Sequence, residues 1–246
     1  MKPERHIIVG DVHGCREELH DLLLQVGYRP GWDQLVMVGD LVDRGPDSVG
    51  VLRWIRELEV TGGAVSLAGN HEEKIVRYHH LLAHALGAEA GLTESQLQVY
   101  HQLAPADLDW IARRPYFFKG PGFLVVHAGI CPQIHHTLED LDRNREARRR
   151  LVRIRHVDAF GNMLKLIQAG VPGARPWHEV YDGRFGVVVH GHWRCGEVMR
   201  GPFSYGLDTS CCYGGKLTAM VFTDLQRPAF VSVPARRTYR HPPPIG

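Results

Sequence analysis

The chain has 246 residues, 44% of them hydrophobic and 23% charged, which is ordinary for a globular protein with a sizeable core. Its 29 Lys and Arg residues nearly balance its 27 Asp and Glu residues, and the net charge is +2, so neither a nucleic-acid nor a membrane partner is expected. Five cysteines without a CxxC pair argue against a disulfide scaffold and predict reduced thiols in the cytoplasm.

The first third of the chain alternates short apolar runs with helical periodicity. Apolar runs at 6–9, 35–38 and 64–67 predict three strands. Apolar residues at helical spacing over 19–26 and 51–58 predict a helix between each pair of them. This order of strands and helices predicts an α/β fold, with a parallel sheet covered by helices.

The pattern changes after the third strand. A polar, helical stretch over 72–114 predicts a helical insertion above the sheet. Apolar runs at 123–126 and 185–189 predict two more strands, and an Arg-rich stretch within 138–156 predicts a helix. No segment has the composition of a linker, so a single domain is expected over 1–246.

Polar side chains follow each of these five strands where the strand ends. The carboxyl ends of strands line the ligand crevice of an open α/β sheet, so these side chains are expected at one edge. Carboxylate, amide and imidazole groups without a thiolate favour manganese, iron or zinc. The segments are Asp11-Val12-His13-Gly14, Gly39-Asp40, Gly69-Asn70-His71, His127 and His190-Gly191-His192.

A pair of ions bridged by one carboxylate would use all of these ligand types. Two ions about 3.5–4 Å apart can clamp the attacking and leaving oxygens of a phosphoryl transfer. They also lower the pKa of bound water to about 7, which gives a hydroxide nucleophile at neutral pH. The six candidate ligands are Asp11, His13, Asp40, Asn70, His127 and His192.

Three segments resemble the signature motifs of the phosphoprotein phosphatase branch of the calcineurin-like metallophosphoesterases. They are Gly10-Asp11-Val12-His13-Gly14, Gly39-Asp40-Leu41-Val42-Asp43-Arg44-Gly45 and Gly69-Asn70-His71-Glu72. Later segments, at 126–130, 191–193 and 208–218, are more similar to the bacterial diadenosine tetraphosphatases of the same superfamily. The resemblance implies a four-layer αββα sandwich with the metal site at the carboxyl ends of the strands, plus the helical insertion.

The resemblance also implies how the ligands divide between two divalent ions, with manganese favoured and iron or zinc as alternatives. One ion would take Asp11, His13 and Asp40. The other would share Asp40 and add Asn70, His127 and His192. His190 occupies a position that is usually aromatic or apolar in this family, so we expect it to pack beside the site rather than to bind metal.

Further residues would turn this metal site into a catalytic one, again by resemblance. His71 would protonate the leaving oxygen and Asp43 would orient it. Arg44 would hold phosphate oxygens, because a planar guanidinium matches them bidentately. A second phosphate-binding arginine is expected at Arg155, with Arg153 as the alternative.

Three functions are compatible with these residues. The segment at 191–193 and the C-terminal motif favour hydrolysis of dinucleoside polyphosphates such as diadenosine tetraphosphate. Asp43 and Glu72 favour a serine/threonine or broad-specificity phosphoprotein phosphatase, since a well-oriented acid matters most for a poorly acidic alkoxide leaving group. A non-catalytic metal- or nucleotide-binding protein is the third reading, and the intact set of ligands and acid residues argues against it.

Overall fold

The computed structural model of the chain describes residues 3–82, 91–165, 168 and 170–241. Its strands are β1 (Arg5–Val9), β2 (Asp33–Met37), β3 (Ala64–Ser66), β4 (Phe117–Gly120), β5 (Phe123–Val126), β6 (His156–Val157), β7 (Arg175–Pro176), β8 (Val187–His190), β9 (Met199–Gly201), β10 (Ser204–Gly206), β11 (Lys216–Phe222) and β12 (Ala229–Pro234). Its helices are α1 (Arg16–Gln25), α2 (Ser48–Thr61), α3 (Asn70–Leu82), α4 (Glu94–Gln102), α5 (Pro105–Ala112), α6 (Arg145–Leu151) and α7 (Trp177–Val180).

Ten of these strands form two five-stranded sheets. The first has the order β12-β11-β1-β2-β3, in which β1, β2 and β3 are parallel and β11 runs antiparallel to β1. The second has the order β4-β5-β8-β10-β9, in which β5, β8 and β10 are parallel. The sequence predicted five strand ends along one sheet edge, and the structure divides them between two sheets.

Alternate residues of β1 face opposite sides of the first sheet, as the period of two requires. Ile7 and Val9 join a core with α1 and α2, whereas Ile8 joins a second core between the two sheets. On the outer face of the second sheet, Leu124 of β5 packs with Leu151 of α6 in a third core. The layers therefore run helix, sheet, sheet, helix, which confirms the predicted αββα class.

The predicted helical insertion contains α3, α4 and α5, while residues 83–90 lie outside the described part of the chain. Helix α3 begins at Asn70, two residues before the predicted start, and so carries Asn70 and His71 on its first turn. Among the described residues, no helix is both long enough and apolar enough to cross a bilayer.

The predicted Arg-rich helix is much shorter in the structure. Helix α6 covers only Arg145–Leu151, because the side chain of Asn144 accepts a hydrogen bond from the Ala147 N–H and caps its start. A turn at Val152 ends the helix. Arg153 and Arg155 therefore lie after the helix, and helical geometry does not fix the directions of their side chains.

Glu59 on α2 ties the insertion to the first sheet. Its carboxylate accepts hydrogen bonds from the Ser66 backbone N–H at 2.9 Å, the Trp110 indole at 2.9 Å and Arg114 at 2.6 Å. We expect Glu59→Ala to lower the free energy of unfolding by about 1–3 kcal/mol, because the half-buried Arg114 and the buried Trp110 lose their hydrogen-bond acceptor. Urea unfolding should show this, whereas Glu57→Ala, an exposed carboxylate on the same helix, should cost less than about 0.5 kcal/mol. Equal losses in both variants would contradict the assigned role.

Candidate metal centre

Asp40 lies at the centre of the converging strand ends. The nitrogen Nε2 of His13 lies 3.6 Å from Asp40 Oδ2, and Nε2 of His71 lies 3.7 Å from the same oxygen. On the other side, Nε2 of His127 lies 3.5 Å from Asp40 Oδ1. Two sets of donor atoms, each within 4.8 Å of one another, share this carboxylate: His13, Asp40 and His71, and Asp40, His127 and His192.

The neighbouring imidazoles are oriented by backbone carbonyls. Nδ1 of His13 lies 3.0 Å from the Val42 oxygen, and Nδ1 of His127 lies 3.1 Å from the Val38 oxygen. If each Nδ1 carries the proton and donates it, Nε2 keeps a lone pair directed toward Asp40. Burial lowers the pKa of both imidazoles, which favours this neutral form.

Three observations indicate that these side chains could hold divalent cations. Burial alone would raise the pKa of Asp40, yet the nearby His127, His71 and His13 hold it low, so the carboxylate is ionised. Nε2 of His192 is buried and has no hydrogen-bond partner among the described residues. An oxygen and nitrogen donor set without thiolate suits manganese, iron or zinc.

Asp11 is buried beside this cluster but holds a different position from the other candidates. Its two carboxylate oxygens accept the backbone N–H of His192 at 3.1 and 3.0 Å. Asp11 thereby joins the end of β1 in the first sheet to the loop after β8 in the second. Burial and the nearby carboxylates of Asp208 and Asp40 raise its pKa, which makes the pocket favourable for a cation.

Asn70 completes the side of the site near the second sheet. It begins α3, and its Oδ1 lies 3.0 Å from Nε2 of His127. The other five predicted ligands therefore lie around Asp40, although Asp11 stands outside both groups of donor atoms. Their assignment as ligands stays a prediction.

Two glycines permit this close approach of loops. A Cβ atom at Gly69 would lie 2.2 Å from Asp40 Oδ1, and one at Gly191 would lie 1.8 Å from Asp11 Oδ1. Real Cβ atoms do not approach this closely, so a side chain at either position would displace a candidate ligand. The glycines in the Gly-Asn-His and Gly-His motifs are thus required by the packing of the carboxylates.

His71 and Asp43 form a buried pair at the mouth of the site. Nδ1 of His71 donates to Asp43 Oδ2 at 2.8 Å. The other oxygen of Asp43 accepts from the Ser95 hydroxyl at 2.7 Å, and the side-chain nitrogen of Gln96 lies 3.3 Å from His71 Nδ1. Burial alone would raise the pKa of Asp43, but the hydrogen bonds from His71 and Ser95 hold it low. Sequence reasoning missed Ser95 and Gln96.

Arg44 reaches into the same space. Its guanidinium nitrogens lie 2.5 Å from Nε2 of His13 and 2.9 Å from Nε2 of His71. A guanidinium has only donors, so both imidazole nitrogens accept from it. The ring of Tyr213 lies 5.4 Å from the Arg44 guanidinium and 4.4 Å from that of Arg194, so Tyr213 forms a wall of the site between two cations.

The two candidates for the second arginine are separated by the structure. Arg155 donates to the His192 carbonyl at 3.2 Å and lies near the carboxylates of Asp208 and Asp40. Arg153 instead pairs with Glu73 at 2.6 Å, outside the metal centre. The position of Arg155 agrees with the preferred expectation.

Three further buried residues, Asp208, His190 and Glu72, lie near the candidate metal centre. Asp208, which sequence reasoning quoted in a motif but did not assign, lies beside Asp11, and burial raises its pKa. His190 packs with its ring centre 5.1 Å from that of Trp177 and lies outside both donor groups, as expected. Glu72 accepts the backbone N–H groups of Gly69, Asp40 and Val42 at 3.1, 2.9 and 3.1 Å. Glu72 therefore shapes the loops whatever the substrate is.

The chain is similar to known proteins in both sequence and structure. Residues 5–195 match the family described as Calcineurin-like phosphoesterase. A symmetrical bis(5'-nucleosyl)-tetraphosphatase of Edwardsiella ictaluri (strain 93-146) is 32% identical, and the match covers 96% of this chain and 98% of the relative. A relative with the same name from Methylococcus capsulatus (strain ATCC 33009 / NCIMB 11132 / Bath) is also 32% identical, over 86% of this chain and 89% of its own.

Solved structures agree with this placement. A crystal structure named for a candidate diadenosine tetraphosphatase superposes with a TM-score of 0.75 at 31% identity, covering 95% of both chains. A protein serine/threonine phosphatase from Saccharomyces cerevisiae superposes with a TM-score of 0.67 at 14% identity, covering 98% of this chain and 82% of its own. The second likeness concerns the fold alone.

Proposed function

We propose, on the premise that this chain belongs to the calcineurin-like phosphoesterase family, that it is a metal-dependent hydrolase of dinucleoside polyphosphates such as diadenosine tetraphosphate. The observation that carries the chemistry is a single carboxylate, Asp40, shared by two groups of donor atoms beside a His71–Asp43 pair. The proposed substrate class is supported by the similarity to symmetrical tetraphosphatases, which align with most of the chain. Symmetrical cleavage would release two nucleoside diphosphates.

The metal ions would be held by Asp40 and the five residues around it. Asp11, His13 and Asp40 would hold one ion, and Asp40 would be shared with a second group made of Asn70, His127 and His192. When bound, a pair of divalent ions neutralises phosphoryl oxygens and lowers the pKa of the attacking water. Manganese is the preferred metal, since the donors are hard oxygens and borderline imidazoles.

The chain's own residues would carry the remaining work. Arg44 lies in the loop after β2 and Arg155 lies between α6 and β6, and both interact electrostatically with Asp40. They would orient the phosphate that is attacked, with bidentate hydrogen bonds. Water adds to phosphorus and gives up a proton to solvent, and the bond between phosphorus and the bridging oxygen breaks. With substrate bound, Arg44 would donate to the phosphate instead of to Nε2 of His71. That nitrogen would then carry a proton and give it to the departing oxygen, while Asp43 stabilises the imidazolium.

A phosphoprotein phosphatase is the second candidate because of the Asp43–His71 hydrogen bond. Its length of 2.8 Å and its burial suit an acid that must protonate a basic alkoxide. The second argument for this function was Glu72, and it loses weight because Glu72 binds three loop N–H groups that any substrate would require. The nucleotide reading is therefore preferred.

A substrate panel tests the proposal. Purified protein with added manganese is assayed on diadenosine tetraphosphate, on a mononucleotide and on phosphoserine, phosphothreonine and phosphotyrosine peptides, with chromatographic identification of the products. We expect diadenosine tetraphosphate to yield ADP, with a kcat/KM at least about 100-fold above that of any peptide. Rapid release of phosphate from phosphoserine peptides with intact diadenosine tetraphosphate would overturn the nucleotide reading. Metal binding without any turnover would favour a non-catalytic protein.

A further inference from the structure

A basic cavity lies beside the metal centre. One wall is formed by α3, and the other by α6 and the residues up to Arg153. Its volume is about 960 Å³, near the top of the range known for small-molecule sites. Five basic and two acidic side chains line it. The basic ones are Lys74, Arg77, Arg145, Arg149 and Arg153.

The cavity is therefore large enough for a nucleotide and carries an excess of positive charge.

The cavity adjoins the proposed acid through α3. Lys74 lies one helical turn after His71, so the two side chains project from the same face of the helix. Lys74 also lines the cavity. Burial and the nearby Arg153 lower the pKa of Lys74, whereas the carboxylate of Asp43 raises it. Lys74 therefore lies between the proposed acid and the cavity.

The other wall comes from the chain after α6. The turn that ends α6 sends Arg155 toward the metal centre, where it donates to the His192 carbonyl. Arg153, two residues earlier, lines the cavity and pairs with Glu73 at 2.6 Å. One short segment therefore supplies an arginine to each of two adjacent anion-binding spaces.

We propose that this cavity binds the departing half of the substrate, a nucleoside diphosphate, and so selects the bond that is cut. The inference rests on the proposed function, in which His71 gives its proton to the leaving oxygen. The leaving group must then lie on the His71 side of the phosphorus, and from His71 the surface of α3 leads into the cavity. The planar guanidinium groups of its arginines can each donate two parallel hydrogen bonds to two oxygens of a phosphate.

The cavity also offers a surface for the nucleobase. The half-buried ring of Tyr116 lines it, close to the basic side chains. Aromatic rings bind bases by stacking with little regard to sequence, because every base has a π-face. In a bound nucleoside diphosphate, the arginines would hold the phosphate groups and the base would stack on Tyr116.

Charge reversal at two exposed lining residues tests this inference. Arg77 and Arg149 are exposed, so Arg77→Glu and Arg149→Glu should leave the core intact. We expect the double variant to lower the ratio of kcat/KM for diadenosine tetraphosphate to that for p-nitrophenyl phosphate by at least about tenfold, because the small ester does not reach the cavity. Arg227→Glu, which reverses one charge on an exposed residue away from the cavity, should keep the wild-type ratio.

Calorimetric titration with ADP gives a second readout that does not depend on turnover. The double variant should bind ADP at least about tenfold more weakly than wild type, whereas Arg227→Glu should bind it normally. If wild type cleaves diadenosine tetraphosphate and the double variant keeps both the wild-type ratio and ADP affinity, the cavity inference is wrong and the proposed function stands. If wild type leaves diadenosine tetraphosphate intact, the proposed function fails and the cavity inference fails with it.

Discussion

Asp40→Asn is expected to lower kcat for diadenosine tetraphosphate by about 10³-fold or more, which corresponds to roughly 4 kcal/mol of transition-state stabilisation. Asn has nearly the shape of Asp and can still accept the His71 backbone N–H, which lies 3.0 Å from Asp40 Oδ1. It loses the negative charge, however, and that charge is shared by both groups of donor atoms. Metal affinity and activity should therefore fall together while the fold is kept.

Metal content measured by plasma mass spectrometry after dialysis should show less bound metal in this variant than in wild type. Asp47→Asn is the matched control, since Asp47 caps α2 from outside the donor groups and Asn caps a helix equally well. This control should keep wild-type metal content and kcat. Full activity of Asp40→Asn, with its normal metal content, would refute the shared-carboxylate site.

His71→Asn is expected to have the second largest effect, and one that depends on the leaving group. Loss of a general acid typically costs about 10²–10⁴-fold, and the cost grows with the basicity of the departing oxygen. We expect phenyl phosphate to be slowed about tenfold more than p-nitrophenyl phosphate, whose leaving group is more acidic. Steady-state kcat values for the two esters measure this difference directly.

The same variant also decides between two roles for His71. Its Nε2 lies in a donor group with His13 and Asp40, so geometry alone would also permit it to bind metal. As an acid held by Asp43, His71 can be replaced with normal metal content, whereas a ligand cannot. Equal slowing of both esters together with loss of metal would assign His71 to the metal site. His101→Asn, at an exposed position on α4, should alter neither property.

The candidate metal residues could be found from the sequence because each follows an apolar strand directly. The carboxyl ends of parallel strands meet at one side of a fold, so local patterns were enough to bring Asp11, Asp40 and His127 together. The local patterns did not show that these strands belong to two sheets, which was implied by the family resemblance alone. That division depends on β11 pairing with β1 across more than 200 residues, and no local pattern encodes such a pairing.

The contacts of the acid pair were not predictable in the same way. Ser95 binds Asp43 across 52 positions, and Gln96 approaches His71 across 25. The only local signal is Thr93 with Gln96, a capping box that predicts the start of α4 and nothing about its neighbours. How the insertion folds over the site is a tertiary property.

The choice between Arg155 and Arg153 depended on where one helix ends. An Arg-rich helix over 138–156 would have fixed the two side chains by helical geometry, but α6 ends at Leu151. The following turn then directs them to different spaces. Helix ends are the least certain part of any sequence-based assignment, and here the end determines which arginine faces the metal centre.

The most direct test of the account is a metal titration of chelator-treated protein during hydrolysis of diadenosine tetraphosphate. Manganese is added in steps to a known protein concentration, and ADP is measured at each step. A hydrolase with a shared-carboxylate metal site should show no turnover without metal, and turnover should rise until it saturates at about two ions per chain. Full release of ADP by the metal-free protein, or saturation with manganese without any ADP, would contradict this expectation.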